Sequence, residues 1–389
     1  MINMSSLISL VVGPQHPALH EPERFVFKIE GETIVDVEPR LGYVHRGIEK
    51  LMETKEHTEA IYLAERVCGI CNVAHTLSFG EAIEEAAGIE VPPRAKYLRV
   101  IIHELNRIHS HLLLLGVAAE LMGFETLFML IWRDREIVMK LVEDLTGNRV
   151  ISSLVIVGGV SRDISLELIH KMKKHLPKLY ERVKQYKKMM EEDPTFTART
   201  VNVGYLSKSK MLELGGVGPT ARGSSVKMDV RDFDPYEAYD EIPFNVAVYD
   251  EGDSWARFMV RVDETLEAIN IILYALDHLP QGPIRVMPPR AFEGEGFGRV
   301  EAPRGEVFHH TIWRGGSKPW RHRIRTPTYA NIPAVCEMFK GYHLADAPVI
   351  LGSIDPCFSC TDRLYVVDVK TGEEKVIPYW YIRKKYWKR

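Results

Sequence analysis

Four of the five cysteines fall into two pairs with the spacing CxxC. Cys68 and Cys71 form the first pair, and Cys357 and Cys360 form the second, near the other end of the 389-residue chain. Thiolates paired in this way bind soft metals such as Zn, Fe, Ni or Cu(I). A structural zinc site usually draws its two pairs from about 15 to 20 residues apart. Pairs this distant favour a catalytic metal centre that joins parts of an already large core.

Charged and polar residues stand close to both pairs. Arg66 precedes the first pair and Arg363 follows the second, and nearby positive charge favours the thiolate that a metal binds. His75, four residues after Cys71, is interpreted as a packed core histidine or as a support for the sulfurs, rather than as a ligand. Cys336 stands alone among apolar neighbours and is interpreted as a core residue.

The elements that carry these residues are predicted to be mainly helical. Alternating apolar residues predict strands over residues 7–12, 25–29 and 33–37. Apolar residues at three- and four-residue steps predict helices over residues 48–64, 93–119, 124–145, 172–192 and 255–279. Glycine, proline and arginine predict ordered irregular loops over 282–325, and residues 349–354 predict a short buried strand. The fold class is therefore α+β, mainly α, with a long-helix bundle and small β elements.

Composition excludes several classes of partner. The 46% hydrophobic content predicts a large core, and 50 basic against 53 acidic residues leave no basic excess for a nucleic acid. The apolar stretch 112–132 contains Glu120 and Glu125, which predicts a buried helix and no direct membrane span.

The glycines of 294–298 lack the strand-turn-helix context of a dinucleotide site. Only three Gln and eight Asn favour a thermophilic source.

The residues around both pairs resemble the two signatures of the large subunit of nickel-iron (NiFe) hydrogenases. The first is ERVCGIC at 65–71 with His75, and the second is DPCFSCTDR at 355–363. Further segments resemble the energy-converting, membrane-complex branch, which is similar to the quinone-site 49 kDa-type subunit of respiratory complex I: GPQHP at 13–17, GYVHRGIEK at 42–50, IHSHL at 108–112, GPTARG at 218–223 and APRGE at 302–306. The resemblance extends from about residue 12 to residue 363.

The resemblance implies a nickel-iron centre whose iron carries carbon monoxide and cyanide. The four paired cysteines would hold the nickel, and Cys71 and Cys360 would also bridge it to the iron. Cys68 and Cys357 would be terminal ligands. A metal-bound thiolate in a dry cavity is a usable base, so Cys357 is also a candidate catalytic residue.

The resemblance also implies roles for three further residues. Glu21 would relay the proton when hydrogen is cleaved heterolytically, Arg304 would lie above the metals, and Asp355 would pair with Arg304. The alternatives are a surface carboxylate for Glu21 and a loop-anchoring salt bridge for Arg304. Many relatives of other branches carry aspartate at the position of Ser110, so this part of the site is incomplete here.

The organisation implied by the resemblance is a single large-subunit domain over 1–363 with a carboxy-terminal extension over 364–389. Relatives often lose this extension after nickel insertion. In this chain the extension is predicted to form a β-hairpin and a basic aromatic end, and we expect an unprocessed form or a relative without cleavage.

Electron transfer requires an iron-sulfur cluster in a partner, because this chain has no further cysteine cluster. The expected partners are an iron-sulfur small subunit and the membrane subunits of a complex I-like assembly. The chain is expected to be cytoplasmic and peripheral, on the inner face of the cell membrane.

The leading interpretation is the catalytic large subunit of a membrane-associated NiFe hydrogenase, which cleaves hydrogen or reduces protons and is coupled to ion translocation. One alternative is a hydrogenase-derived respiratory subunit without nickel that reduces sulfane sulfur or quinone. Another is a scaffold that docks an iron-sulfur protein. The presence of all four cysteines with Arg304 and Asp355 favours the first interpretation.

Overall fold

The computed structural model describes residues 7–17, 19, 21–361 and 370–371. The strands in this part of the chain are β1 (Ile8–Val12), β2 (Arg24–Glu30), β3 (Thr33–Arg40), β4 (Val155–Ile156), β5 (Gly159–Val160), β6 (Phe292–Ala302), β7 (Gly305–Gly316) and β8 (Arg321–Arg325). They form three antiparallel sheets in the orders β1-β2-β3, β4-β5 and β6-β7-β8.

The helices begin with α1 (Ile48–Met52), α2 (His57–Glu65), α3 (Asn72–Ala87), α4 (Pro93–Leu121), α5 (Glu125–Thr146), α6 (Leu166–Glu192) and α7 (Pro194–Thr200). They continue with α8 (Lys208–Glu213), α9 (Gly218–Arg222), α10 (Val230–Phe233), α11 (Ser254–Asp277), α12 (Pro327–Met338) and α13 (Ala347–Ser353). Two 3-10 turns cover Leu344–Asp346 and Phe358–Cys360.

The core is a bundle of long helices around α4 and α11. The α4 helix begins at Pro93 and is buried around most of its circumference, as expected for a helix enclosed by protein. The α5 and α11 helices pack along α4, and α6 packs against α5 and α11. The α5 helix ends at Gly147, whose φ of 84° is a left-handed conformation that glycine adopts readily. The predicted α+β fold class is confirmed.

The prediction of irregular loops is correct for residues 282–291 but was wrong from residue 292 onward, because β6, β7 and β8 form a sheet there. The glycines that suggested loops alternate along β6 on the face that meets α3. A Cβ atom on Gly298 would collide with the carbonyl oxygen of Ser78, and Gly294 and Gly296 meet α3 in the same way. Here glycine permits the close approach of a helix to a strand.

Two further element predictions need correction. Residues 349–354 were predicted as a buried strand, but 347–353 form α13, because periodicity cannot separate a short apolar strand from a buried helix. The helix predicted over 48–64 is interrupted between α1 and α2. The strands predicted before residue 40 and the long helices are present with shifts at their ends.

Within the described residues, no helix combines the length and the apolar composition that a bilayer crossing requires. The hairpin predicted for the extension lies outside the described residues, apart from residues 370 and 371.

Candidate metal centre

The four paired cysteines converge at one buried point between two turns of the chain. Cys68 follows α2, and Cys71 is the N-cap of α3. Cys357 follows α13, and Cys360 ends a 3-10 turn. The Sγ atom of Cys357 lies 3.2 Å from that of Cys68 and 3.2 Å from that of Cys360. The Sγ atoms of Cys71 and Cys360 are 4.0 Å apart. All four side chains are buried.

The sulfurs are too close to ionise independently. Hydrogen bonds from Cys357, Cys360 and Cys71 lower the pKa of Cys68 well below its usual range. Hydrogen bonds to Cys357, Cys68 and Cys71 raise the pKa of Cys360 well above that range. The first negative charge therefore resides on Cys68, and further thiolates require a cation to offset their repulsion. A set of four soft sulfur donors fits a soft metal ion.

Backbone groups also favour negative charge at this point. The amides of Ile70 and Cys71 donate hydrogen bonds to Cys68 Sγ at 3.4 and 3.3 Å. The positive end of the α3 dipole lies at its N-cap, which stabilises a thiolate. The local fold of the first cysteine pair thus favours ionisation of Cys68.

Arg46 joins the loops that carry the two pairs. Its guanidinium donates hydrogen bonds to the carbonyl oxygens of Arg66 at 2.8 Å and Val67 at 2.7 Å. The same guanidinium also donates to the carbonyl oxygen of Ser359 at 3.0 Å. One side chain therefore fixes the backbone before the first pair relative to the backbone inside the second.

The positive charge beside the sulfurs comes from Arg304 rather than from a sequence neighbour. The guanidinium of Arg66 donates to the carbonyl oxygen of Tyr62 at 2.7 Å and is largely exposed. Arg363 lies outside the described residues. Arg304 is fully buried, and its charge helps to lower the pKa of Cys68, although less than the sulfur hydrogen bonds do.

Arg304 is held in the turn between β6 and β7 by three hydrogen bonds. It donates to the Asp355 carbonyl oxygen and to Asp355 Oδ1, both at 2.7 Å, and to Ser110 Oγ at 3.1 Å. Burial lowers the pKa of Arg304, but Asp355 and the cysteines hold it well above its usual value. Asp355 has a φ of 54°, a conformation uncommon for residues other than glycine. The ion pair thus supports a sharp turn just before Cys357.

A buried ionic network supports the strand end that carries Arg304. His111 of α4 contacts Glu264 of α11 at 3.0 Å, and Arg222 of α9 donates to Glu264 at 2.9 Å and to Glu301 of β6 at 2.8 Å. Burial raises the pKa of Glu264, but Arg222 and other partners hold it well below its usual value. The network joins three helices to β6, so Arg304 projects from a rigid frame.

Glu21 lies beside the second cysteine pair. Its carboxylate accepts hydrogen bonds from the Ser359 amide at 2.8 Å and the Ser359 hydroxyl at 2.7 Å. Glu21 Oε1 is 3.9 Å from Cys357 Sγ. The carboxylate also lines a cavity of about 450 Å³ with Pro14, Gln15, His16, Pro17, Leu19 and Pro22. Glu21 therefore lies between a sulfur atom and an open cavity.

The structure brings all seven predicted site residues into one region. His75 is also present there, with Nε2 at 3.8 Å from Cys360 Sγ. Cys336 lies apart, in a hydrophobic cluster of β2, β3, α12 and α13. Burial raises its pKa to about 12, which leaves it a protonated thiol.

Family models and individual relatives identify the group to which this chain belongs. Residues 46–115 match the model of nickel-dependent hydrogenases. Residues 122–293 and 286–363 match that of the 49 kDa subunit of respiratory-chain NADH dehydrogenase. The membrane-bound hydrogenase subunit alpha of Pyrococcus furiosus is 39% identical to this chain, with 95% of this chain and 90% of that subunit covered. The chain belongs to the family of hydrogenase large subunits and complex I 49 kDa subunits.

Relatives in this hydrogenase and 49 kDa family have different activities. An NADH-quinone oxidoreductase subunit of Carboxydothermus hydrogenoformans is 40% identical, with 90% of this chain and 96% of that protein covered. A solved chain of the membrane-bound sulfane sulfur reductase, an archaeal respiratory membrane complex, is 33% identical with a TM-score of 0.87. That match covers 93% of this chain and 100% of the solved chain. The relatives are thus subunits of oxidoreductases, with more than one acceptor among them.

Some residues of the site carry no signal that sequence reasoning could use. Arg46 lies in a segment that resembles the family, but its three carbonyl partners are set by the fold. Glu23, His309 and His322 are single polar residues within strands or beside them, where a surface position is the ordinary expectation. The structure buries all three close to the cysteine loops.

Glu23, close to the second cysteine pair, allows the effect of burial on a carboxyl group to be measured. It is fully buried and accepts hydrogen bonds from the Arg24 amide at 3.3 Å and the Thr361 hydroxyl at 3.4 Å. Burial raises its pKa from 4.5 to about 7. Because the folded state binds this proton more tightly than the unfolded state does, its contribution to stability is complete below pH 4.5 and is lost as pH rises through 7.

We therefore expect Glu23→Gln to remove much of the fall in stability between pH 4.5 and 7. The free energy of unfolding of the wild-type full chain should fall by about 2 to 3 kcal/mol more than that of the variant over this range. Urea titrations followed by tryptophan fluorescence measure it. Glu32→Gln makes the same change at an exposed position. The free energy of unfolding of this variant should depend on pH as that of the wild-type chain does. Equal slopes for wild type and Glu23→Gln would contradict the expectation.

Proposed function

We propose that this chain is the catalytic large subunit of a membrane-associated NiFe hydrogenase complex. The observation that carries the proposal is the convergence of four buried cysteine sulfurs between Arg304 and Glu21. The reaction is reversible cleavage of hydrogen, with proton reduction as its reverse. Electrons pass to or from a partner subunit, and the wider complex couples this transfer to ion translocation.

The residues present fit a nickel-iron centre. Cys68, Cys71, Cys357 and Cys360 would hold it. When bound there, the centre supplies the redox-active metals at which hydrogen is formed or split. The sulfurs lie in a water-excluded pocket, where nearby fixed charges act more strongly than they do in water.

Glu21 moves the proton in this proposal. Its Oε1 atom exchanges a proton with the Cys357 sulfur at 3.9 Å, and Glu21 also lines the cavity. The Ser359 amide and hydroxyl orient the carboxylate for this exchange. A carboxyl group in this position can carry a proton between the buried sulfurs and the cavity at each turnover.

Arg304 supplies a fixed positive charge beside the sulfurs. Asp355 and Ser110 hold its guanidinium, so little reorganisation is needed as negative charge develops nearby. Lysine at this position keeps the charge but cannot form the three hydrogen bonds of the guanidinium.

We expect Arg304→Lys to lower hydrogen turnover by about 10²- to 10³-fold while nickel remains bound. Hydrogen evolution and metal content of the purified complex measure the two effects separately. Arg299→Lys is the matched control, because Arg299 lies in β6 near the turn that carries Arg304, is partly exposed and pairs with Glu306. Wild-type turnover in Arg304→Lys would contradict the role of the guanidinium.

The proposal requires partners. Cys336 is the only cysteine outside the two pairs, so the iron-sulfur cluster that exchanges electrons must lie in a separate small subunit. Two relatives are named as membrane-bound. We place this chain on the inner face of the membrane, attached through membrane subunits of a complex I-like assembly. Residues 1–363 form its functional domain, and residues 364–389 form a carboxy-terminal extension.

The competing function is a respiratory subunit without nickel that reduces sulfane sulfur or quinone. The relatives with those acceptors in their names favour it, as does the cavity beside Glu21, which is large enough for a small acceptor. Nickel and iron analysis of the purified complex, with infrared bands for bound carbon monoxide and cyanide, separates the functions. Our proposal predicts both metals and both bands. An active complex without nickel that reduces sulfane sulfur or quinone would overturn it.

A further inference from the structure

A second cavity, of about 660 Å³, has a strongly acidic wall and contains none of the cysteines. It lies between α3, the loop that follows α3, the segment after α10, and the β6-β7 pair. Six of its side chains are carboxylates, and only Lys96 and Arg299 are basic. The six carboxylates are Glu81, Glu84, Glu85, Glu90, Asp234 and Glu237.

The inner end of this cavity contains a guanidinium whose donors are all in use. Arg99 is fully buried and donates to Glu84 at 2.6 and 3.0 Å and to Glu237 Oε1 at 2.8 Å. It also donates to the carbonyl oxygens of Ile156 at 2.7 Å and Gly159 at 3.1 Å. These five hydrogen bonds occupy the five N–H groups of the guanidinium. Arg99 therefore has no donor left for a further carboxylate oxygen.

Two carboxylate oxygens beside Arg99 remain without a hydrogen-bond partner. The Glu237 side chain is only 3% exposed, and its Oε2 atom has no partner among the described residues. The same holds for Glu81 Oε1. Arg299, the basic residue of β6 in the wall, is paired with Glu306 and Asp234 instead. The inner end of the cavity thus presents two free acceptors.

The charge at the inner end favours a cation over water. Burial and repulsion from Glu237 and Glu84 raise the pKa of Glu81 well above its usual range. Burial also raises the pKa of Glu237, although Arg99 opposes this effect. Water can donate hydrogen bonds to the free oxygens, but it carries no charge and leaves the repulsion in place. A further positive charge would relieve it.

The arrangement of the carboxylates does not suit a metal ion. Calcium and magnesium ions are bound by six or more oxygen ligands in a compact shell. Among the described residues, only the cysteines bring three potential ligand atoms of acidic, histidine or cysteine side chains within 4.8 Å of one another. The cavity is also far larger than an ion requires. A longer, organic cation fits it better.

The rim of the cavity fits the stem of such a cation. Phe297 is 47% exposed and lines the cavity with Phe308. Aromatic rings attract ammonium and guanidinium groups and pack against their methylene stems. Glu85, Glu90 and Asp234 are exposed around these rings. The acidic rim would attract a positively charged segment, and the inner carboxylates would bind one of its side chains.

We propose that this cavity binds an arginine or lysine side chain of a partner subunit, whose cationic group contacts Glu237 and Glu81 at the inner end. Arginine is enriched at protein interfaces, and charge-assisted hydrogen bonds are the stronger ones. The choice of a partner as the occupant rests on the proposed assembly with other subunits. The preference of the cavity for a cation does not depend on that assembly or on bound nickel.

The first test measures binding of butylguanidinium to the purified full chain by calorimetry. Butylurea has nearly the same shape but no charge, so we expect it to bind at least about 10-fold more weakly. Saturable binding of butylguanidinium with this preference supports the cation pocket, whether or not the chain contains nickel. Equal affinities for the two compounds, or no binding of butylguanidinium, would overturn it.

Substitutions locate the binding site. Glu237→Gln keeps an amide oxygen that can accept the Arg99 hydrogen bond but removes the charge. We expect this variant, and likewise Glu81→Gln, to bind butylguanidinium about 10-fold more weakly than the wild-type chain. Glu191→Gln makes the same change at an exposed position of α6, outside the cavity, and should keep the wild-type affinity. Unchanged affinity in both folded cavity variants would overturn the assignment.

The second test identifies the occupant in the purified complex. If a partner side chain fills the cavity, the intact complex should no longer bind butylguanidinium. The Glu237→Gln complex should also release a subunit at a salt concentration at which the wild-type and Glu191→Gln complexes stay whole, as measured by native mass spectrometry. Undiminished binding by the intact wild-type complex would overturn the partner as occupant and assign the cavity to a free organic cation. A complex that excludes butylguanidinium but contains no nickel would contradict only the hydrogenase proposal.

Discussion

Replacement of Cys360 by serine is expected to abolish nickel binding and hydrogen turnover in the purified complex. A hydroxyl group is a hard donor with a far higher pKa than a thiol, so it neither ionises at the site nor suits a soft metal. The Sγ atom of Cys360 also lies within 4.0 Å of the sulfurs of Cys71 and Cys357. Loss of the Cys360 sulfur therefore removes a central member of the group of four sulfurs. We expect nickel content below about a tenth of the wild-type value.

Cys336→Ser is the matched control for this substitution. Cys336 is a protonated thiol in a separate hydrophobic cluster, and no paired cysteine contacts it. The control should keep the nickel and the turnover of the wild-type complex, with at most a modest loss of stability. Nickel and iron are measured by elemental analysis on the same preparations. Equal nickel loss in both variants would point to general damage, and full nickel content in Cys360→Ser would refute the sulfur site.

Substitution of Glu21 by glutamine is expected to lower turnover by about 10²- to 10⁴-fold without loss of metal. Glutamine has nearly the same shape, and its amide oxygen can still accept the hydrogen bond of the Ser359 amide, while its NH2 group can donate to the Ser359 hydroxyl oxygen. It cannot take up a proton at physiological pH, so the exchange with the Cys357 sulfur stops. Hydrogen evolution and hydrogen-deuterium exchange by the purified complex measure the effect.

Ser359→Ala separates the orientation of Glu21 from its chemistry. This change removes the hydroxyl that donates to Glu21 Oε1 but leaves the Ser359 amide, which donates to Oε2. We expect about a 10-fold loss of turnover, since one of two orienting hydrogen bonds remains. A Glu21→Gln complex with full metal content and wild-type turnover would exclude Glu21 as the proton carrier.

Features that depend on local sequence were predictable. Apolar residues alternate in β2 and β3 because one face of the sheet is buried. In α4 and α11 apolar residues recur at helical spacing because these helices are buried, so the sequence periodicity predicts both kinds of element. The glycines of β6 were misleading, because glycine next to a packed helix and glycine in a loop look alike in sequence. The α13 helix is only seven residues long, too short for its periodicity to distinguish it from a strand.

The site was predictable only where its residues belong to motifs. The cysteine pairs, Arg304 and Asp355 stand in segments with recognisable spacing, and the fold brings them together. Arg46 binds carbonyl oxygens, which every residue possesses, so no sequence pattern reveals its partners. His309 and His322 become neighbours only because β7 pairs with β8. The sequence of this sheet is typical of loops, so the pairing could not be predicted.

The most direct test of the central claim is nickel K-edge X-ray absorption of the complex purified without oxygen. We predict nickel surrounded by sulfur atoms of cysteine, with iron as a near neighbour, and loss of this signal in Cys360→Ser. Nickel bound mainly by nitrogen or oxygen, or an active complex that contains no nickel, would contradict the claim that the two cysteine pairs form a hydrogenase centre.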